Sequence, residues 1–165
     1  IGRLHSQKGY KYLLDAYSKI SDQIPHNLVI LGEGPLKSEI MKQINFLNLK
    51  NRVILCGFIK NPYPILKNAD LFVLSSLYEG MPNVLLEAIS LDVPIVSSDC
   101  PSGPKEILGK DFSDLLYEPK DTLLLSKLIL KQIKHPKKIN SNFLKKSFSI
   151  ETVVQSYEEL ITKCF

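Results

Sequence analysis

Two carboxylates and two cations are spaced in this sequence as if to share one ligand. Glu79 and Glu87 are separated by seven residues in the run Ser75-Ser-Leu-Tyr-Glu-Gly-Met-Pro-Asn-Val-Leu-Leu-Glu-Ala-Ile-Ser90. An apolar strand ends at Leu74 or Ser75, a Gly/Pro loop follows, and a helix opens near Asn83, a residue type that makes a good N-cap. The first turn of a helix carries unpaired backbone N–H groups and the positive end of the dipole, so it attracts anions. Glu79 lies in the loop, free to reach a ligand, and Glu87 lies one turn into the helix. Two acids beside an anion site repel the anion unless they bind hydroxyls, and a nucleotide-sugar offers both groups. The plainer alternative makes Glu79 a solvated loop residue and Glu87 a surface helix residue.

The second cluster opens the chain. Gly2-Arg3-Leu4-His5-Ser6-Gln7-Lys8-Gly9 is a Gly-bounded loop with two cations five residues apart. Arg offers a rigid fork for bidentate phosphate contact and Lys a point charge. With nineteen Lys and two Arg in the chain, Arg3 is not compositional habit. A solvated basic loop is the competing reading. Gly32-Glu33-Gly34-Pro35 invites comparison with the dinucleotide fingerprint, but its third glycine position is Lys37. NAD binding is therefore not expected. A tight turn with Pro at the first helical position explains the motif, and its glycines also let a ligand approach the backbone. Gly57-Phe58-Ile59 follows another strand and could flank a base or pack on a helix. Pro101-Ser102-Gly103-Pro104-Lys105-Glu106 serves equally as an anion contact or as turn chemistry. No nucleophile elbow, Walker loop or His-Glu-x-x-His motif is present.

These segments need elements to hold them. Short β-branched apolar runs read as strands at Asn27–Leu31, Arg52–Cys56, Asp70–Leu74 and Val93–Ser97, with a weaker one at Phe112–Tyr117. Most do not alternate polar and apolar, as expected of parallel strands covered on both faces. Helical patterns occupy Tyr10–Ile24, Pro35–Leu47, Asn61–Asn68, Asn83–Ser90 and Pro104–Leu108. The alternation predicts a doubly wound parallel α/β sheet, Rossmann-like, with ligands at the carboxyl ends of its strands. Residues 122–165 show no strand pattern and read as a helical tail of two or three helices, one beginning at Ser149. The whole of 1–165 reads as one domain.

Composition bounds the rest. The 165 residues are 44% hydrophobic and 23% charged, with a formal net charge of +4. No stretch approaches the ~18 apolar residues of a membrane span, and no signal-peptide pattern opens the chain, so a cytoplasmic protein is expected. Cys56, Cys100 and Cys164 are an odd, widely spaced set, read as buried or free thiols rather than metal ligands. Between Thr122 and Ile150 there are seven Lys and no acid. Without an aromatic ladder this run does not argue for nucleic acid, and it reads as a solvated or domain-facing surface.

Taken together, Gly2-Arg3-Leu4 with Lys8-Gly9, Gly32-Glu-Gly-Pro35, Gly57-Phe58 and above all Glu79-Gly-Met-Pro-Asn-Val-Leu-Leu-Glu87-Ala88 resemble the carboxyl-terminal domain of the retaining glycosyltransferase family 4. Those enzymes have two Rossmann-like domains, the GT-B fold. The resemblance implies that Arg3 and Lys8 bind the donor diphosphate, that Glu79 contacts the hydroxyls of the transferred sugar, and that Glu87 contacts the ribose. It implies that backbone amides along Gly80-Met81-Pro82-Asn83-Val84-Leu85 hold the phosphates, Pro82 contributing none. Gly32 would border the donor, and Phe58 and Ile59 would frame the base. The implied reaction transfers a sugar with retention, from a UDP-hexose or UDP-N-acetylhexosamine to a glycan or lipid-linked acceptor, without metal or other cofactor. The acceptor would sit in an amino-terminal domain absent from this chain, with Ile1 at the end of a truncated first strand, and the fragment alone would transfer poorly. Peripheral association of the full-length protein with the inner face of a membrane is compatible with this. The alternative is a non-catalytic nucleotide-binding or regulatory module, or a remnant. The sequence departs from the family at Leu91-Asp92, where a Gly often precedes the next strand.

Overall fold

The computed structural model describes residues 1–140, 142 and 149–164. It contains five parallel strands, β1 (Leu28–Leu31), β2 (Val53–Gly57), β3 (Phe72–Leu74), β4 (Ile95–Ser98) and β5 (Leu116–Tyr117). Helices α1 (Tyr10–Ser18), α2 (Lys37–Phe46), α3 (Tyr63–Lys67), α4 (Asn83–Ser90) and α5 (Pro104–Leu108) connect them, and α6 (Thr122–Lys134) and α7 (Ile150–Cys164) follow. The expected single sheet is divided: β1 pairs with β2, and β3, β4 and β5 form a second sheet in that order. Between β1 and β3 runs an apolar slot of about 480 Å³ that has Lys8, Ser75 and Ser76 in its wall. The Ile1–Leu4 segment passes the end of β1, with Gly2 N–H donating to Leu31 O at 2.9 Å and Leu4 N–H to Glu33 O at 2.8 Å.

The double covering is visible within β4. Ile95 and Val96 are both fully buried, yet Val96 joins the core of α1, α2 and α6 while Ile95 joins that of α3, α4 and α5. A strand with a core on each face needs consecutive apolar residues, and this is why its sequence does not alternate.

Several elements are shorter than their apolar patterns. Helix α1 stops at Ser18, whose hydroxyl donates to Asp15 O at 2.9 Å, and a 3-10 turn occupies Ser21–Gln23. Ile20 and Ile24 are nonetheless buried, so the helical spacing there reports burial rather than continuous helix. The Phe112–Tyr117 strand shrinks to two residues because Ser113–Leu115 forms a 3-10 turn. At the family departure, Asp92 adopts φ 56° and its N–H donates to Ile89 O at 3.0 Å, while Val93 N–H donates to Ala88 O at 3.0 Å. Asp tolerates this left-handed conformation better than most residues, so the turn closes as a glycine would close it.

In the tail, Asp121 caps α6 by accepting from Leu123 and Leu124 N–H, and Gln132 crosses to β4 by donating to Ile95 O at 2.9 Å. Ser149 caps α7, its Oγ accepting from Thr152 N–H at 3.1 Å. Two of the lysines of the acid-free segment have a partner: Asp114 binds Lys137 at 2.7 Å and Lys131 at 3.5 Å. Residues 141 and 143–148, which include Lys145 and Lys146, lie outside the described residues. No helix among the described residues is long and apolar enough to cross a membrane.

The hydrogen bond from Lys137 holds the Asp114 carboxyl below the usual aspartate range. A depressed folded-state pKa stabilises above the unfolded value, and the stabilisation disappears as pH falls through the folded pKa. The pair is half exposed, so Asp114→Asn should lower Tm near pH 7 by only about 1–3 °C. That difference should vanish in melts at pH below the ordinary aspartate range.

Candidate donor-binding site

The loops leaving the carboxyl ends of the strands converge above the slot. The Ser6–Lys8 segment forms a 3-10 turn, capped by His5 Nδ1 accepting from Gln7 N–H at 3.3 Å. That turn is fastened to the loop after β3 by backbone and side chain. Leu77 N–H donates to Gln7 O at 2.7 Å, Gln7 Nε2 to Tyr78 O at 3.0 Å, and Ser75 Oγ to Lys8 O at 2.8 Å. Gly9 permits the approach: its φ is 63°, and a Cβ there would overlap the Ser75 carbonyl oxygen. The same device recurs where Gly32 and Gly34 receive the backbone of Gly2 and Leu4, and where Gly103 receives the Pro82 ring. Gly32 therefore owes its lack of side chain to the Arg3 loop lying against it.

This stitching brings Lys8 and Glu79 together, 71 residues apart in sequence, with Nζ 2.7 Å from Oε1. The sequence places Glu79 in a loop, free to reach a ligand. Instead its side chain is only 7% exposed, and Ser76 Oγ donates to the same Oε1 at 2.5 Å. Its main chain is fixed as well, Glu79 N–H donating to Pro101 O at 3.3 Å. A carboxylate so enclosed needs charged and hydrogen-bonding partners, and Lys8 and Ser76 are those partners. Tyr10, buried beneath the turn, donates to Gly2 O at 2.9 Å. Burial, with the Glu79 charge as the second cause, pushes its phenol pKa well up, so it stays a donor.

Arg3 is exposed, and among the described residues no hydrogen bond or ion pair engages its guanidinium. Helix α4 begins as the sequence indicates, but Pro82 is the N-cap and Asn83 the first helical residue, with no side-chain cap. The amides are less available than a row of free donors. Asn83 N–H donates to Met81 O at 2.9 Å and Leu85 N–H to Pro82 O at 2.8 Å, because the entry is a tight turn. The Val84 amide keeps no partner among the described residues. Leu85 itself is a core side chain, 0% exposed, while Gly80 and Met81 are exposed in the loop. Glu87 sits half-buried on α4 and accepts from Tyr63 Oη of α3 at 3.4 Å, and among the described residues no hydrogen bond or ion pair joins it to Lys8 or Glu79. Phe58, 72% exposed, and half-buried Ile59 stand at the end of β2.

Ser76, Gln7, Tyr10 and Tyr63 are site neighbours that motif reading passes over. Ser76 had a signal: Ser-x-x-Glu is the spacing of a capping box, but the helix starts seven residues later and the serine holds the Glu side chain instead. Cys56 and Cys100 are unpaired thiols, and burial pushes the Cys100 thiol pKa up.

Known proteins share this architecture. Anabaena HepE in complex with UDP superposes with a TM-score of 0.81 at 24% identity, covering 99% of this chain and 47% of that one. At that identity the likeness establishes the Rossmann-like fold alone. An uncharacterized glycosyltransferase of Methanocaldococcus jannaschii is 48% identical over 109 residues, 66% of this chain and 27% of that protein. The N-acetylgalactosamine-N,N'-diacetylbacillosaminyl-diphospho-undecaprenol 4-alpha-N-acetylgalactosaminyltransferase of Campylobacter jejuni is 39% identical over 118 residues, 72% of this chain and 32% of that protein. The chain thus spans about a third or less of the length of these two relatives. The family model for glycosyl transferases group 1 matches residues 1–147, and with nearly the whole fold and every site loop inside that match, the chain belongs to the glycosyl transferases group 1 family.

Proposed function

We propose that this chain is the donor-binding, carboxyl-terminal half of a retaining family 4 glycosyltransferase. It would bind a UDP-hexose or UDP-N-acetylhexosamine, whose sugar goes to a glycan or lipid-linked acceptor held by an amino-terminal domain. The observation that carries this reading is the convergence of Arg3, Lys8, Glu79 and the α4 entrance at the carboxyl edge of the sheets. Cations and a helix start address a diphosphate, while a buried carboxylate beside them addresses hydroxyls. The UDP held by the HepE structure and the diphospho-undecaprenol acceptor named for the Campylobacter relative are consistent with these ligand classes.

In this reading the chemistry is leaving-group stabilisation. As the bond between sugar and diphosphate breaks, negative charge grows on the diphosphate, where Arg3 and the Val84 amide meet it together with Lys8, which the bound donor has drawn from Glu79. A preorganised donor of this kind lowers the barrier by about 3–4 kcal/mol. The acceptor hydroxyl attacks the face the diphosphate leaves, which retains configuration without a protein nucleophile. The cations and helix end supply the neutralisation, so the scheme requires no metal.

Calorimetry of UDP against the chain, with chelator present, tests the reading, and failure to bind UDP at millimolar concentration would sink it. Glu79→Ala sharpens the test. Because Lys8 is then shared with no carboxylate, UDP affinity should hold or rise, while the extra affinity of UDP-sugar over UDP should be lost. An equal loss for both ligands contradicts the sugar-facing role of Glu79.

A further inference from the structure

Glu79 receives both of its side-chain hydrogen bonds on one oxygen: Lys8 Nζ at 2.7 Å and Ser76 Oγ at 2.5 Å both reach Oε1. Among the described residues nothing bonds Oε2, which leaves that oxygen to accept from a ligand. The two holders differ in kind. Lys8 is a long, flexible cation, 21% exposed at its side chain, and a diphosphate competes for it directly. Ser76 is 1% exposed, short and neutral, so no anion draws it away. Its backbone is fixed in turn, because Ser98 Oγ at the end of β4, itself fully buried, donates to Ser76 O at 2.7 Å.

From this geometry we infer that Ser76 is a positioning residue. It holds Oε1 of Glu79 while Lys8 turns to the donor's diphosphate, keeping Oε2 aimed at the sugar hydroxyls. The relay Ser98–Ser76–Glu79 runs from the end of β4 to the carboxylate through two bonds, so the sheet takes part in setting the aim of Glu79. A carboxylate displaced by about 1 Å forfeits much of its benefit to a bound substrate. The inference rests on the donor-site reading for its ligand measurements and on the geometry alone for its structural one.

The experiment uses the chain carrying Ser76→Ala, Ser76→Cys or Ser76→Thr. Cys fills the serine's space with a weak donor and guards against a folding defect in the alanine variant; Thr retains the hydroxyl. Calorimetry compares UDP with whichever of UDP-glucose, UDP-galactose and UDP-N-acetylglucosamine the unaltered chain binds more tightly than UDP. The Kd for UDP should stay within about twofold in all three variants, whereas the Kd for the UDP-sugar should rise about five- to tenfold with Ala and Cys and recover with Thr. In crystals of the Ala variant the Glu79 carboxylate should move by more than about 1 Å. Unchanged UDP-sugar affinity in the Ala and Cys variants, or a Glu79 carboxylate left in place in the crystal, overturns the proposal. A uniform loss for UDP and UDP-sugar overturns it too, since that marks a merely structural residue. If the unaltered chain binds none of these nucleotides, the donor-site reading fails instead, and the crystal structure of the Ala variant decides the positioning claim by itself.

Discussion

Arg3→Ala is expected to weaken UDP binding by about ten- to a hundredfold, the loss of one or two hydrogen bonds from a cation to a phosphate. The case for a large effect rests on the contrast between the two cations. Lys8 is already neutralised by Glu79, and its net attraction for a diphosphate is reduced by what it gives up. Arg3 has no carboxylate beside it among the described residues, so its whole charge is available. Because it is exposed, stability should hardly change, and the effect should shrink at high salt as screening sets in. Arg3→Lys should restore only part of the affinity, since a point charge cannot reproduce the guanidinium fork. Calorimetry at two ionic strengths checks all of this; an Arg3→Ala affinity within about twofold of the unaltered chain removes Arg3 from the site.

Gly9→Ala should destabilise the fold strongly. Its φ of 63° costs an L-residue about 1–2 kcal/mol, and the added Cβ collides with the Ser75 carbonyl. That carbonyl belongs to the backbone leaving β3 and cannot swing aside as a side-chain tip would. A total of about 3–5 kcal/mol follows, or a fall in Tm of about 6–15 °C. Thermal melts of Gly9→Ala beside the unaltered chain test the clash, and a loss of only about 1–2 kcal/mol, the conformational part alone, would show that it relaxes without cost.

The sequence announces the strands and the opening of α4 because each depends on patterns local to it: β-branched runs for β1 to β4, and a Gly/Pro loop before Asn83. It is silent where the answer lies across the fold. Burial of Glu79 needs Lys8 and Ser76 around it, and the Lys8 contact spans 71 residues. The Asn83 expectation failed for a similar reason: Gly103 seats Pro82 at the helix entrance, and the proline takes the cap position that propensity alone gives to asparagine. Division of the sheet between β1 and β3 is likewise invisible, since an apolar run reads the same whether or not a neighbour pairs with it. Ser76 is the instructive miss, a familiar spacing put to a different use.

The backbone contacts at Gly9, Gly32, Gly34 and Gly103 bear on any attempt to redesign the site. Loop 32–36 rests on loop 2–9, loop 2–9 on loop 75–79, and loop 101–105 on the Pro82 entrance, each at distances only a missing side chain allows. A graft that replaces one of these segments with that of a homologue inherits a mismatch at every neighbour it rests on. Segments that touch must be transplanted together, and the unit of engineering is the carboxyl rim of the two sheets.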